Sequence, residues 1–252
     1  MTKVPTILSL DTATNTASVA LWRDGHLVGE ASHEATGHSS ALLRSVDEVC
    51  AAAGVGAAAF TAIAVGLGPG SFTGVRIGMA TAKGLAYAAQ IPLWGASSLA
   101  ALAYDAFVLT PAAQVAIAIA NARRNEVFVG AFARSATHHA PQPLGEEAVL
   151  APAAVAAWIQ TRITMVSAEP IATNAVVIAG DGCAAYPTLH TLPYPHAAIA
   201  TPRAGAIAIL AAAGDRTDLL HDGSPLYIRP SEAEVNYPNG VPGALRKRPV
   251  LI

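Results

Sequence analysis

Cysteine, charge and aromatic rings are scarce in this chain, and each scarcity closes off a class of protein. Two cysteines, Cys50 and Cys183, stand far apart among 252 residues. A disulfide scaffold needs more, so both read as small, reduced core hydrophobes. Charged residues make up 13% of the chain, 15 Lys and Arg against 17 Asp and Glu. The resulting net charge of −2 gives no whole-chain attraction for nucleic acid, though it permits a local basic patch. The histidines, at 26, 33, 38, 138, 139, 190, 196 and 221, never show the His-x₃-His spacing of two metal ligands on one helix face. No Gly-x-Ser-x-Gly nucleophile elbow occurs.

An unbroken apolar span is missing too. Residues 49–75 carry no charge, but Gly54, Gly56, Gly66, Gly68, Pro69 and Gly70 interrupt them, and much of the rest is Ala. A lipid-exposed break cannot satisfy its backbone groups, so this is not read as a membrane span. The apolar run that opens the chain is too short for a secretory signal and ends in Asp11. The expectation is a cytoplasmic protein with no membrane contact.

What is abundant is patterned apolar sequence: hydrophobic residues are 53% of the chain, many of them Ala. That suffices for one large domain or two small ones. Residues 6–10 read as a buried strand, and 17–23 with 26–33 as a hairpin turning at Asp24-Gly25. A helix is expected from Ser40 to Ala53, stopped by Gly54, with Leu42, Leu43, Val46, Val49, Cys50 and Ala53 on one stripe. A strand at 62–65, a helix at 73–89, a strand at 93–95 and a helix from Ser97 or Ser98 to Ala106 follow. Beyond Pro111 come strands at 114–121, 126–133 and 175–179, a polar loop at 134–150, and helices at 152–161 and 205–213. The order of elements in the first half fits a ribonuclease-H-like lobe of the actin, Hsp70 and sugar-kinase type. The fold class is thus α/β with two such lobes: residues 1–106, a smaller or degenerate lobe at 107–222, and an extended tail at 223–252.

Two stretches carry chemical interest. Asp11-Thr12-Ala13-Thr14, after the first strand, has the residues to hold hydrated Mg²⁺ and phosphates through Asp11, Thr12 and Thr14; it also suits a simple Asx turn. Residues 66–76, Gly-Leu-Gly-Pro-Gly-Ser-Phe-Thr-Gly-Val-Arg, lie between a strand and a helix. They read either as an anion site at a helix N-terminus or as a tight strand-to-helix turn. No Lys follows the last glycine, so this is not a Walker loop. Gly74, Gly78, Ala82 and Ala86 recur every four residues, a ridge against which another segment can lie close. Arg123-Arg124 and Arg246-Lys247-Arg248 are small basic clusters, suited to RNA phosphates or to plain solvation.

These residues resemble the TsaB (YeaZ) family. The likeness lies in residues 7–14, in Gly37-His38-Ser39, and above all in Gly66 to Gly78. It continues through 81–86, 97–103, 120–128 and Ala179-Gly180-Asp181-Gly182, with a weaker echo at residues 225–229. The resemblance implies a non-catalytic partner of TsaD, which transfers threonylcarbamoyl to N6 of adenosine 37 in tRNAs reading ANN codons. TsaC supplies threonylcarbamoyl-AMP, TsaE is an ATPase partner, and tRNA is reached through the complex. TsaD-like proteins carry a His-x₃-His metal motif where this chain has Ser98 and Leu102, and Leu cannot ligate. No catalytic or metal-binding residue is therefore expected, and ATP or ADP with Mg²⁺ only together with partners.

Family members often have Asp where this chain has Asn121, which removes a carboxylate that would bind a cation or an arginine. The resemblance further implies that the first two helices pack on the equivalent pair of TsaD, or of a second copy. Leu42, Leu43, Val46, Val49, Cys50, Gly74, Gly78, Met79 and Ala82 are the expected interface. The loop residues Gly66, Gly68, Pro69, Gly70, Ser71, Thr73 and Arg76 then read as a structural hinge. The rival reading is a free-standing ATPase or phosphotransferase using Asp11 and the glycine loop.

Overall fold

The computed structural model describes residues 4–34, 39–135, 140–166 and 171–229. His38, His138-His139, Arg246-Lys247-Arg248 and the tail beyond 229 lie outside the described residues.

The first lobe is built on strands β1 (Thr6–Asp11), β2 (Thr16–Arg23) and β3 (His26–Glu34), then helix α1 (Ser39–Ala53), β4 (Ala62–Gly66), α2 (Phe72–Ala89), β5 (Leu93–Ala96) and α3 (Ser98–Leu109). Its sheet has the order β3-β2-β1-β4-β5, antiparallel through β3, β2 and β1 and parallel through β1, β4 and β5. The expected turn at Asp24-Gly25 forms, with φ of 50° and 86°, the two left-handed residues that a tight hairpin requires. Gly54 stops α1 with φ of 63°.

The second lobe contains β6 (Val115–Arg123), β7 (Glu126–Ala133), β8 (Gln142–Pro143), β9 (Ala148–Leu150), α4 (Pro152–Ile163), β10 (Val176–Ala179) and the single turn α5 (Gly182–Ala185). Its sheet, β10-β6-β7-β8 with β9 also on β7, repeats the first lobe's plan of an antiparallel hairpin joined to a parallel strand. The polar loop expected at 134–150 is corrected here. Two short strands form within it because β7 offers them a free edge, a tertiary opportunity with no local sequence signal.

The last helix, α6 (Ala204–Ala213), is apolar on every side and buried. The boundary expected at 107–222 assigns it to the second lobe, yet it packs on β1, β2, β4 and β5 of the first sheet and on α3. Helix α3 in turn lies on β6, β7 and β10. The two helices thus fill the space between the sheets, α1 and α2 cover the first sheet's outer face, and α4 covers the second's.

The sequence of β6 shows why the layers differ. In Val115-Ala116-Ile117-Ala118-Ile119-Ala120 the large residues face the α4 side and the alanines face α3. Small side chains on the inner face let α3 lie close to the sheet. Among the described residues, no helix is long and apolar enough to cross a membrane.

Candidate functional site

The glycine loop packs on the chain's own backbone. A Cβ on Gly66 would collide with the Asp11 carboxylate, on Gly70 with the Ala13 carbonyl, on Gly74 with the Thr12 carbonyl, and on Gly78 with the Thr12 hydroxyl. These four glycines, spaced every fourth residue, form one seam against Asp11–Ala13. Polar bonds close it. Ser71 N–H donates to the Ala13 carbonyl at 2.7 Å, and the Thr12 hydroxyl donates to the Gly74 carbonyl at 2.8 Å.

Asp11 sits at the centre of this seam, fully buried. Its Oδ1 accepts from Ala13 N–H at 2.9 Å, and its Oδ2 accepts from the Ser98 hydroxyl at 2.6 Å. Burial raises its pKa to about 6, against the opposing pull of the Ser98 and Ala13 hydrogen bonds. Gly68 N–H donates to Ser98 Oγ, and Ser98 N–H to the Gly68 carbonyl. Asp11, the loop and the start of α3 are therefore one closed unit. Leu102, one turn on, is wholly buried in the core on α3.

The residues singled out for a magnesium nucleotide do not meet in the open. Asp11 faces inward, Thr12 is buried and bonded to α2, and only Thr14 lines the space between the lobes. The N–H groups of Leu67, Gly68, Ser71, Gly74 and Val75 all donate within the chain, and Ser71 caps α2. Among the described residues, no three His, Cys, Asp or Glu are grouped to hold a metal ion.

A cleft of about 830 Å³ opens between the lobes. Its first-lobe wall is Thr14, Asn15 and the loop from Pro69 to Arg76; its second-lobe wall is the β6–β7 turn with Asp181. Arg76 lies with its guanidinium 3.6 Å from the centre of the Phe72 ring and donates from Nε to the Tyr227 hydroxyl at 3.0 Å. Across the cleft, Arg123, Arg124 and Asn125 take φ of 59°, 53° and 59°, three consecutive left-handed residues. Asn121 Oδ1 steadies that turn by accepting from Arg123 N–H at 2.8 Å. The Asn121 N–H donates to Asp181 Oδ1, and burial raises the Asp181 pKa despite that bond. At Asn121, then, a neutral amide oxygen serves the backbone. Arg123 reaches back to Asn15 Oδ1 at 2.9 Å.

Residues 226–229 form a strap that sequence reasoning saw only as a weak echo. Leu226 N–H donates to the Leu67 carbonyl in the first lobe. Arg229 donates to the Ala122 carbonyl at 2.9 Å and pairs with Glu126 at 3.0 Å in the second. The motif Pro225-Leu226-Tyr227-Ile228-Arg229 was the available signal, but nothing local says that it bridges two lobes.

The expected interface needs correction. Leu42, Val46 and Val49 of α1, and Gly78, Met79 and Ala82 of α2, are buried in the chain's own core. Periodicity found the apolar stripe, and on a helix that flanks a sheet this stripe faces the sheet. Gly74 is half-buried against Thr12, and Cys50 is half-buried beside the core. Of the nine, only Leu43 stands well out, 43% exposed. Exposed on the helix pair away from the cleft are Leu43, Arg44, Asp47 and Glu48 of α1 and Ala80, Gly84 and Tyr87 of α2.

Comparison with known proteins agrees with this architecture. Residues 31–236 match the family model described as TsaD, tRNA N6-adenosine threonylcarbamoyltransferase. The solved structure of YeaZ from Pseudomonas aeruginosa is 32% identical, with a TM-score of 0.73, covering 88% of this chain and 99% of that one. A second structure, an uncharacterized protein with similarity to peptidase YEAZ from Pseudomonas aeruginosa, has the same identity and TM-score and covers 89% and 100%. The tRNA threonylcarbamoyladenosine biosynthesis protein TsaB of Haemophilus influenzae is 42% identical over 129 residues, 51% of this chain and 54% of that protein. Its Escherichia coli namesake is 32% identical over 128 residues, 51% and 55% of the two chains. The chain thus spans about half the length of the curated relatives it matches. Matched by the TsaD model over most of its length and by the YeaZ structures over nearly all of theirs, the chain belongs to the TsaB (YeaZ) family, within the wider group that the TsaD model describes.

Proposed function

We propose that this chain is a non-catalytic subunit that supports a TsaD-like transferase in forming N6-threonylcarbamoyladenosine at position 37 of tRNAs reading ANN codons, in the cytoplasm. The observation that carries this reading is the enclosure of Asp11. In a free-standing ATPase of this fold, the carboxylate at the end of β1 has to reach a hydrated metal. Here both oxygens are engaged by Ala13 and Ser98, beneath a glycine that admits no side chain. The amides of Leu67, Gly68, Ser71, Gly74 and Val75, bonded internally, weigh the same way, since a phosphate cradle needs its amides free. Ser98 and Leu102, both buried, stand where the resemblance puts metal-binding histidines in TsaD-like chains.

The partner in this reading docks on the outward face of α1 and α2, around Leu43, Ala80, Gly84 and Tyr87. A second copy of the chain uses the same face when the partner is absent. A TsaE-like ATPase and tRNA join through the complex, and any ATP or ADP with Mg²⁺ is bound there. The test is mass spectrometry of digested tRNA from cells depleted of this protein, in which the modified nucleoside should fall. Unchanged levels in a strain with no second copy would end the reading. Purified alone with ATP and Mg²⁺, the chain should show no turnover, and steady turnover would favour the ATPase rival.

A further inference from the structure

We propose that the cleft between the lobes is a groove for single-stranded RNA, with phosphates on Arg123 and Arg124 and a base against Phe72 and Tyr227. The choice of RNA among polyanions rests on the tRNA-modification reading above; the groove itself rests on three independent observations.

The first is charge. Among the described residues, Arg76, Arg123, Arg124 and Arg229 line the cleft with Glu126 and Asp181, in a chain of net charge −2. Glu126 and Arg229 pair with each other, and Asp181 accepts from Asn121 N–H and lies near Arg123, which leaves four cations against two acids. A positive excess on one concave surface of an otherwise slightly acidic chain concentrates phosphate there.

The second is backbone conformation. Three successive non-glycine residues at φ between 53° and 59° are unfavourable for L-residues, and Asn or Gly is the usual occupant. Two of the three are arginines. Long cationic side chains occupy the positions where folding alone favours Asn or Gly, and both reach the cleft.

The third is the aromatic pair. Phe72 and Tyr227 are 37% and 45% exposed at the cleft, with ring centres 5.2 Å apart. Arg76 lies over Phe72 and holds Tyr227 through its hydroxyl. Exposed rings beside arginines make the stacking platform that unpaired bases use. A terminal di- or triphosphate needs a cluster of free amides instead, and the glycine loop has bonded the N–H groups of Gly68, Ser71 and Gly74 internally. Cationic groups set apart on opposite walls suit a strand that passes along the groove.

The experiment measures anisotropy of a labelled unstructured oligoribonucleotide with the full chain across a KCl series, with a duplex of equal length and ADP as the other probes. Arg123→Asn with Arg124→Asn removes both charges while keeping residues that tolerate the left-handed turn. Affinity at low salt should fall about tenfold or more, and the slope of log K on log salt should shrink by about 1.4, two phosphates at roughly 0.7 each. Phe72→Leu with Tyr227→Leu should weaken binding about tenfold, leave the slope unchanged, and reduce the preference for single strand over duplex. Unaltered affinity and slope in the arginine variant overturn the proposal. So does a variant that loses ADP binding but keeps RNA binding, which would make the cleft a nucleotide site. RNA affinity is read on the chain itself, so the result is separate from assembly with a TsaD-like subunit, which neither variant touches.

Discussion

The Ser98 hydroxyl donates a 2.6 Å hydrogen bond to Asp11 Oδ2, joining the first residue of α3 to the last residue of β1. The pair lies beneath Gly66, where a Cβ would strike the carboxylate. One buried acid therefore ties together β1, the glycine loop and the helix that sits between the two sheets.

This arrangement has a pH signature. The Asp11 pKa is raised from 3.8 to about 6 by burial, so the folded state binds the proton more tightly than the unfolded state. The stability this gives is fully present below about pH 4 and is lost as pH rises through 6. The full swing is on the order of 3 kcal/mol. Asp11→Asn keeps an acceptor for Ala13 N–H and carries no charge. Urea denaturation from pH 4.5 to 7.5 should show the wild type losing stability relative to this variant as pH rises. Parallel curves would refute the assignment. Asp105 is raised in the same direction, which is why the comparison is made between the two proteins.

Two glycines of α2 should respond oppositely to alanine. A Cβ at Gly78 meets the buried Thr12 hydroxyl, which is bonded to Gly74, so Gly78→Ala should cost about 2–3 kcal/mol. At Gly84 a Cβ meets nothing within 4 Å. Gly84→Ala there should stabilise by about 0.5–1 kcal/mol, a rise in Tm of roughly 1–4 °C. Calorimetry of the free chains checks both signs, and equal destabilisation would show that the seam is not what fixes α2.

The docking face predicts a separation of stability from assembly. Leu43→Glu puts a charge on an exposed residue and should change Tm very little. It should nevertheless abolish co-elution with a TsaD-like subunit, because a carboxylate buried at that contact is unpaired. Val46→Ala, at a residue 7% exposed, should do the reverse: a loss of about 1–2 kcal/mol with assembly retained in the folded fraction. Analytical gel filtration with the subunit reads both, and normal assembly of Leu43→Glu would move the contact elsewhere.

The hairpin at Asp24-Gly25 was legible because turn chemistry is local. The role of the glycine loop was not, since anion site and packing seam demand the same glycines; what decides is that Asp11–Ala13 runs beneath them. Most of the interface residues expected on α1 and α2 lie in the core for a related reason. The strong stripe of α1 is its core stripe, and the outward faces of α1 and α2 carry too little pattern to read. Helix α6 has no polar face at all, so nothing local tells which sheet it covers. The strap at 226–229 depends on carbonyls at Leu67 and Ala122, some hundred residues and more upstream.

The acidic pair under α6 supplies a last prediction. Arg203 donates from Nε and Nη2 to Glu30 Oε2, at 2.9 and 2.5 Å, while Gly205 N–H donates to Glu30 Oε1 at 2.8 Å. Asp105 is only 6% exposed, lies 3.8 Å from the same guanidinium, and has one oxygen with no partner. Burial raises its pKa to about 6, Arg203 opposes the rise, and Glu30 adds to it. Arg203→Met removes the cation and leaves two carboxylates facing each other. A buried pair broken this way costs several kcal/mol; the 43% exposure of Arg203 reduces the expectation to about 2 kcal/mol at pH 8. The sign with pH follows from the acid. Without Arg203, Asp105 holds its proton to higher pH, so the variant's deficit should be largest above pH 7 and shrink at pH 5, where Asp105 is neutral in both proteins. Arg203→Lys keeps the charge, loses the two-nitrogen contact with Glu30, and should fall between the two. A deficit for Arg203→Met that is the same at pH 5 and pH 8 would mean that the contact of Arg203 with Glu30 and its packing, not its charge beside Asp105, hold α6 to the first sheet.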